Sequence, residues 1–179
     1  NQAIFSVYAS ALANGGSLED AQPGLDFFAD LNAAGNLVPL IAESGTVASG
    51  ETPVTIRWTY NALANRDENG EAIQVVVPES GRFAGVYVQA ISAYAPHPNA
   101  AKLWMEYLYS DEGQLGWLSG YCNPIRYEDM AARGVVPADL AAKLPDTVGA
   151  VFPTIEQIEA AKALIVENWD SAVGLNVGG

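Results

Sequence analysis

The sequence is poor in the residues that most often build catalytic and metal sites. Its 179 residues include one cysteine and one histidine, Cys122 and His97. A single cysteine excludes an internal disulfide and a paired-cysteine metal site, and a lone histidine disfavours a zinc centre, which needs several nitrogen or sulfur ligands. The GxSxG, HExxH, GxxxxGK(S/T) and GxGxxG motifs are also missing. We therefore predict no catalytic residue, no metal ligand, no cofactor and no enzymatic activity.

Basic residues are scarce as well. Eight Lys and Arg stand against twenty-one Asp and Glu, which gives a formal net charge of −13. This balance disfavours nucleic acid and anionic membrane as partners, because both are themselves negative. Two explanations of the acid excess stay open, namely solubility and weak steering of a cationic solute. The sequence has no apolar run of membrane-spanning length and no basic-then-apolar leader at Asn1, so we expect a soluble chain.

What the sequence does have is apolar residues in regular patterns. Half of the chain is hydrophobic, which is enough for one domain with a core or for two small lobes. Helical spacing in residues 4–12 predicts a nearly all-apolar first helix, and the Asn-Gly-Gly at residues 14–16 ends it. Thr154 and Gln157 have the spacing of a capping box and predict a well-capped last helix.

Three segments have the pattern of strands. In residues 54–58, Val, Ile and Trp alternate with Thr and Arg, as in a half-buried strand. Residues 73–77 and 86–91 are largely apolar and branched, which suits a sheet covered on both faces. Because helical patterns separate these segments, we predict an α/β fold with a partly parallel sheet.

Residues 95–114, with the sequence APHPNAAKLWMEYLYSDEGQ, carry the most distinctive pattern. Two prolines keep the chain from being helical before Asn99, which we predict to be an N-cap. Ser110 is placed to cap a second helix, with Asp111 and Glu112 in its first turn, where their charge suits the helix dipole. The stretch therefore predicts a helix, a corner and a second helix.

The order of these patterns resembles a known family. The segment VYVQAIS, the helix start apolar-Pro-x-Pro-x-Ala-Ala-Lys and the sequence Leu-x-Ser-x-Glu-Gly-Gln are similar to the C-terminal third of bacterial extracellular solute-binding proteins of ABC importers, in the ferric-iron and polyamine-like families. Further segments fit in the same order, so the resemblance covers nearly the whole chain. It implies an α/β fold of the periplasmic-binding-protein type II kind, of which this chain holds only the C-terminal half to two-thirds.

The resemblance also implies a division into lobes and a set of partners. Residues 1–78 would form most of lobe II, and residues 79–179 the C-terminal part of lobe I with the terminal helices. A small solute would bind between the lobes in the periplasm, and the permease of the importer would recognise the closed form. Because the first helix and the third strand lack their family partners, we expect exposed apolar surface. The missing N-terminal half of the fold or self-association would cover that surface.

The first part of the predicted ligand site is the end of the first strand. Trp58 closes that strand and Tyr60 and Asn61 follow it, at the kind of strand end where open α/β sheets bind ligands. Core packing of Trp58 is the alternative. Polyamine binders of the resembled family have a Trp-x-x-Asp pattern here. This chain has Asn61 in place of the acid, which removes one charge-assisted hydrogen bond to a diamine.

The second part of the predicted site is the loop after residue 78. By the same resemblance, ligand contacts come from Arg82, Phe83, Gly85 and Tyr87, and Tyr87 stands where polyamine binders carry an acid. An arginine and a tyrosine suit a carboxylate or phosphonate, because Arg binds such groups bidentately. A solvent-facing loop position is the alternative for Arg82. Ferric binders present two adjacent tyrosines, and the sequence has no Tyr-Tyr pair, which disfavours iron.

The predicted function is capture of a small polar solute, which is an amine, amino-acid-like or phosphonate-like, by the binding component of an ABC importer. The alternatives are an α/β hydrolase or transferase domain, a ferric-iron binder within the same family, and a self-contained interaction domain. Cys122 and His97 are the one conceivable pair of nucleophile and base, and nothing in their spacing supports that pairing.

Overall fold

The protein is built from helices. A computed structural model describes residues 2–175, with the backbone alone at Glu71. Within those residues the chain forms nine α-helices and one short 3-10 helix at Gly70–Ala72. The α-helices are α1 (Gln2–Ala13), α2 (Gln22–Ala33), α3 (Ser44–Ala48), α4 (Thr59–Asn69), α5 (Pro98–Leu108), α6 (Asp111–Ser119), α7 (Tyr127–Ala132), α8 (Ala138–Ala141) and α9 (Ile155–Ala172).

Helices α1, α2 and α9 pack against one another, and we call this unit the three-helix core. The predicted apolar first helix is confirmed, since α1 buries Val7 and Tyr8 against Leu25 of α2 and Ile165 of α9. Gly24 lets α2 approach α1 closely, because a Cβ at this position would lie 2.1 Å from the carbonyl oxygen of Val7. The core thus joins the beginning of the chain to a helix near its end.

Polar contacts fix both ends of α9 to the rest of the core. The predicted capping box is confirmed, because the Thr154 hydroxyl accepts from the N–H of Gln157 and the Gln157 side chain accepts from the N–H of Thr154. Gln157 also donates to Glu19 at 2.7 Å. At the other end, the Asn32 amide of α2 donates to the carbonyl oxygen of Val173 at 2.7 Å. The last helix is therefore held in register against α1 and α2.

The predicted helix, corner and helix of residues 95–114 is present as α5 and α6. The Ser110 cap is confirmed, since its hydroxyl accepts from the N–H of Gly113 at 3.2 Å. The predicted cap at Asn99 is wrong, because α5 begins at Pro98 with His97 in the N-cap position. A proline fits the first helical position, because an N–H at that position would have no partner within the helix. The helix therefore starts earlier in the sequence than predicted.

An ion-pair network joins the start of α6 to α7. Arg133 donates to both carboxylate oxygens of Asp111, at 2.8 and 2.7 Å, and also to Asp129 at 2.9 Å. Arg126 pairs with the same two acids. The Arg133 guanidinium lowers the pKa of the Asp111 carboxyl below its usual range, and Arg133 and Arg126 together lower the pKa of Asp129. The network orients the loop between α6 and α7.

The predicted α/β fold of type II kind is wrong for the residues that the structure describes, because they form no sheet. Residues 54–57, 73–77 and 86–91 carry no ladder hydrogen bonds with one another, and β pairing in residues 2–175 is limited to two isolated bridges, Ser17 with Asp20 and Phe83 with Val151. We call residues 73–96, which lie between the 3-10 helix and α5, the open segment.

The physical reason for this difference is that a strand cannot satisfy its own backbone. Its N–H and C=O groups need a neighbouring strand, whereas a helix pairs these groups within itself. The apolar pattern of the open segment shows that it suits a sheet, but no described segment pairs with it. Its branched side chains lie in solvent instead, with Val76 75% and Val88 86% exposed.

Helix α4 follows directly after Trp58. It continues to Asn69, and the polar run RDEN at residues 66–69 forms its last turn. Gly70 then ends the helix with a positive φ of 67°. In the described part of the chain, residues 2–175, no helix combines the length and the hydropathy that crossing a bilayer requires.

Candidate ligand-binding site

The start of α4 positions three of the predicted site residues. Trp58 is the N-cap, with φ −59° and ψ 139°, and its side chain makes no capping hydrogen bond. Tyr60 and Asn61 follow in the first turn of the helix. Trp58 therefore lies just before the helix, whereas Tyr60 and Asn61 lie in its first turn. All three residues are at the N-terminal end of α4.

Aromatic side chains from three segments meet beside this helix end. Six rings form a continuous chain, which we call the aromatic cluster, and it consists of Phe5, Tyr8, Trp58, Tyr60, Phe83 and Tyr87. The ring centroids of Phe5 and Trp58 are 5.5 Å apart at an interplanar angle of 68°, and those of Phe5 and Phe83 are 5.2 Å apart. Such separations are typical of favourable aromatic contacts. Four predicted site residues, Trp58, Tyr60, Phe83 and Tyr87, belong to this cluster.

The cluster runs from the interior to the surface. Tyr8 at its inner end is fully buried, and its hydroxyl donates to the carbonyl oxygen of Leu18, while burial raises the pKa of that phenol. Tyr87 at its outer end is 72% exposed and lies 6.2 Å from Trp58 and 6.5 Å from Tyr60, measured between ring centroids. Trp58 is half-buried between the two ends. The inner rings are therefore core, and the outer rings form an accessible wall.

Gly85 is a packing requirement of this wall. A Cβ on Gly85 would lie 2.8 Å from the Cη2 atom of the Trp58 indole, which is closer than side-chain carbons ordinarily approach. The backbone of the open segment can therefore lie against the indole only because this residue has no side chain. The predicted site residue Gly85 thus acts through the position of Trp58.

The outer wall carries two paired hydroxyl groups. The Tyr60 and Tyr87 hydroxyl oxygens are 3.3 Å apart, within reach of a hydrogen bond. This bond to Tyr60, together with burial and the neighbouring Cys122 thiol, raises the pKa of Tyr87 to about 12. The Tyr87 phenol is therefore neutral at physiological pH and can donate and accept hydrogen bonds. Cys122 belongs to the same neighbourhood, and burial raises the pKa of its thiol.

The loop after α6 brings Cys122 to this position. Tyr121 has a positive φ of 66°, a conformation that costs energy for a residue with a side chain. Its hydroxyl donates to Asp67 of α4, and the Lys143 ammonium lies 5.8 Å from the centre of its ring. These contacts hold the loop against α4. Nothing in the sequence pattern indicated that Cys122 would lie near Tyr87.

Arg82 is anchored rather than free. Its Nη1 donates to the carbonyl oxygen of Val148 at 2.5 Å and pairs with Asp146 at 3.3 Å, and its side chain is 14% exposed. The backbone around it is fixed too, because the N–H of Val151 donates to Arg82 and the N–H of Ala84 donates to Val151. The N–H of Val148 and the Arg82 guanidinium lower the pKa of Asp146. These contacts hold the segment that carries Phe83 against residues 146–151.

Asn61 stands apart from these contacts. It is half-buried in the first turn of α4, and within residues 2–175 no hydrogen bond of its side-chain amide is found. The structure thus brings together Trp58, Tyr60, Phe83, Gly85 and Tyr87. It gives Arg82 other partners and leaves Asn61 beside the cluster.

Sequence reasoning missed three residues of this region. Phe5 and Tyr8 of α1 form the inner end of the cluster, and their spacing of three on an apolar helix indicated only core. Arg57 precedes Trp58, and its Nε and Nη1 atoms are buried without a hydrogen-bond partner in the described part of the protein. The alternating pattern of residues 54–58 placed Arg57 on the polar face of a strand, and this hid its burial.

Two shallow surface depressions lie elsewhere. One is on the outer face of α9 around Lys162 and Val166, and the other lies between the open segment and α5 around Ile91, Trp104 and Met105. Neither contains a residue of the predicted ligand site. The aromatic cluster is therefore the candidate site, because it joins four predicted residues from two separate segments and packs against a fifth, Gly85.

Comparison with protein families gives one match. A profile of the family described as bacterial extracellular solute-binding protein matches residues 1–147, which is most of the chain and includes the whole aromatic cluster. A comparison with curated proteins found no match. The family resemblance of the sequence is confirmed, and the chain belongs to the family of bacterial extracellular solute-binding proteins.

Proposed function

We propose that this protein is the solute-binding component of an ABC importer and that the outer rings of the aromatic cluster contact the solute. The observation that carries the proposal is the convergence of Trp58, Tyr60 and Tyr87 from two segments on one accessible wall. Aromatic faces with a few placed polar groups are typical of small-molecule sites. The solute is a small polar molecule, namely an amine, an amino-acid-like or a phosphonate-like compound.

The aromatic wall suits an amine in particular. A cationic ammonium over the face of Trp or Tyr is attracted by the ring quadrupole, by about 0.5–2 kcal/mol. The hydroxyl pair of Tyr60 and Tyr87 adds hydrogen-bonding groups beside the rings. The net charge of −13 also favours the approach of a cation over that of an anion.

The proposed lobes meet at this site. Trp58 and Tyr60 belong to the proposed lobe of residues 1–78, whereas Phe83 and Tyr87 belong to residues 79–179. A solute held by the cluster would therefore contact both parts, which is the arrangement that closure around a ligand requires. In this proposal the protein acts in the periplasm, its partners are the solute and the importer's permease, and no bond of the solute is broken.

A thermal-shift screen over amines, amino acids and phosphonates tests the proposal. A ligand that binds the folded state raises the unfolding midpoint by mass action, by an amount equivalent to about 2.7 kcal/mol at a hundred times its Kd. We expect at least one of the three classes to raise the midpoint in a saturable way. Failure of all three classes, with the protein folded, would contradict the proposal.

Ferric ion is a second candidate, because the structure places two tyrosine hydroxyls 3.3 Å apart although they are not adjacent in sequence. Against it, the pKa of Tyr87 is raised to about 12, and binding as phenolate needs the proton to leave. Addition of ferric citrate would reveal such a site by a visible phenolate-to-iron absorption band that Tyr87→Phe removes. We expect no band in either protein.

An enzymatic role is the remaining alternative. The raised pKa of the Cys122 thiol keeps it protonated and therefore weakly nucleophilic at neutral pH. A hydrolase or transferase activity above buffer that disappears in Cys122→Ser would favour this alternative. We expect no activity that depends on Cys122, because the family to which the chain belongs captures solutes.

A further inference from the structure

Arg57 differs from every other arginine of the chain. Four of the five arginines pair with a carboxylate, as Arg66 does with Asp67 and Arg82 with Asp146. Among the described residues Arg57 has no such partner, although its Nε and Nη1 atoms are both shielded from solvent. Two charged donors are therefore buried with nothing to accept from them.

This arrangement is costly for a guanidinium. Unlike a buried lysine or histidine, a guanidinium cannot escape the cost of burial by losing its proton. Burial of a charged donor without an acceptor is unfavourable, and a group that accepts from it recovers much of the loss. The acceptor that fits a guanidinium best is an oxyanion with two oxygens, such as a carboxylate or a phosphonate.

Arg57 directly precedes the candidate site along the backbone. Its Cα is one peptide unit, about 3.8 Å, from that of Trp58, the central ring of the aromatic cluster. Arg82, the other arginine near the cluster, already donates to Val148 and pairs with Asp146. Among the described residues Arg82 leaves only its Nε buried without an acceptor, whereas Arg57 leaves both Nε and Nη1, so Arg57 has the larger unmet demand for an oxyanion.

We infer that Arg57 binds an oxyanion of the solute, a carboxylate or phosphonate, while the aromatic wall contacts the remainder of the molecule. The inference rests on the proposed solute-binding function and narrows its solute to a molecule that carries a negative group. A zwitterion with an ammonium on the wall and an oxyanion at Arg57 satisfies both parts of the site. This assignment moves the anion-binding role from Arg82, for which the sequence suggested it, to Arg57.

Three probes with the same propyl group separate the two parts of the site: butanoate, propylphosphonate and propylamine. Their affinities for the full chain are measured by tryptophan fluorescence or NMR titration, to concentrations of about 50 mM because fragments bind weakly. We expect one or both anions to bind and Arg57→Gln to weaken them by about tenfold or more, with propylamine unaffected. Arg57→Lys keeps the charge without the planar fork and should give an intermediate loss.

Arg66→Gln is the matched control, because Arg66 lies on α4 and is half-buried like Arg57 but is paired with Asp67. It should leave all three affinities unchanged. The unfolding midpoint of a further variant distinguishes a binding role of Arg57 from a purely structural one. Since no described group accepts from the buried nitrogens of Arg57, Arg57→Met should keep or raise the unfolding midpoint. A lower midpoint would identify Arg57 as a fold anchor and would overturn the inference.

Two further results would also overturn it: anion binding that survives Arg57→Gln, or no anion binding to the unmodified protein. The propylamine arm and the wider solute screen separate this failure from failure of the proposed function. If amines bind and Trp58→Ala weakens them while anions do not bind, only the assignment of Arg57 falls. If neither the probes nor the screen gives any binding, both proposals fall.

Discussion

The three-helix core and the open segment contain similar apolar residues, but the core buries them and the open segment exposes them. In the core, Val7 is 3% exposed and Leu25 is fully buried. In the open segment, Val88 is 86% and Tyr94 93% exposed. The two regions therefore differ in environment rather than in composition.

The two regions differ in how their backbone N–H and C=O groups form hydrogen bonds. Helices α1, α2 and α9 satisfy their backbone internally, so that an apolar face is enough for them to pack. The open segment has the apolar pattern of strands, but its backbone needs another strand and the described residues supply none. Apolar pattern alone therefore produces a core only where the backbone is already satisfied.

The aromatic cluster lies on the border between these regions. Its inner rings, Phe5 and Tyr8, belong to α1 of the core, and its outermost ring, Tyr87, belongs to the open segment. Phe83 contacts both α1 rings and is tied to Val151 by an isolated bridge. The core thus positions the inner end of the cluster, and the outer end at Tyr87 is exposed.

The strongest test of the comparison substitutes one residue in each region. Leu25→Ala removes a fully buried side chain of the core and should lower the free energy of unfolding by about 2–5 kcal/mol. Val88→Ala in the open segment should change it by no more than about 0.5 kcal/mol. Urea unfolding followed by circular dichroism measures both. Equal losses would mean that Val88 is buried in solution and that the two regions are alike.

A second substitution probes the border itself. Gly85→Ala places a methyl group 2.8 Å from the Trp58 indole and forces one of the two to move. We expect a loss of about 1–3 kcal/mol in unfolding free energy and a change in Trp58 fluorescence. Gly116→Ala is the control, because a Cβ there meets no atom within 4 Å and alanine favours the helix. A Gly85→Ala protein with unchanged stability and fluorescence would show that the open segment does not rest on Trp58.

The smallest effect is expected on the surface, at the ion pairs of α6 and α7. Arg133 lowers the pKa of the Asp111 carboxyl in the folded protein. In the unfolded protein the pKa of this carboxyl is about 4, so the carboxyl binds its proton less tightly in the folded state. The stabilisation is therefore complete above the unfolded pKa and is lost as the pH falls through the lower folded pKa. Arg133→Gln should be slightly less stable than the unmodified protein at pH 7.

The difference in unfolding midpoint between the unmodified protein and Arg133→Gln, which we call the gap, should become smaller as the pH falls below about 4. Thermal unfolding at several pH values measures it. A gap that stays constant over this range would exclude the carboxylate pairing as its cause. High salt should also narrow the gap, because the pairs are exposed and therefore screened.

Elements with local causes were predictable from the sequence. The capping boxes and caps at Thr154 and Ser110 depend on residues three positions apart, and the structure confirms both. The burial of Val7 and Tyr8 follows from helical spacing. The lack of a sheet in the described residues was not predictable in this way, because strand pairing depends on distant segments that periodicity cannot identify.

The site was predictable only as a set of candidate residues. The end of a predicted strand indicated Trp58 and Tyr60, and the family resemblance indicated Tyr87. The structure brings their rings together, but their role in binding stays a prediction. The burial of Arg57 was hidden, because alternation along a strand assigned it to a polar face. The anchoring of Arg82 by Asp146 depends on a contact across 64 positions, which no local pattern reveals.

The expectation of exposed apolar surface is confirmed for the third predicted strand, in the open segment, and is wrong for the first helix, which packs in the core; the consequence of the exposed surface stays a prediction. Val76, Val86 and Val88 lie in solvent and are at least 63% exposed. Self-association or a partner chain would cover such a surface. Light scattering checks this directly, and a compact monomer without dye-accessible apolar surface would contradict it.

The central claim is that the border between core and open segment binds a solute, and Trp58→Ala tests it most directly. The affinity for a solute that the thermal-shift screen identifies and the free energy of unfolding are measured on the same protein. Trp117→Ala, on the exposed face of α6, is the control. We expect a loss of about tenfold to a hundredfold in affinity, equivalent to about 1–3 kcal/mol, in a protein that remains folded. Unchanged affinity in a well-folded Trp58→Ala protein would contradict the claim.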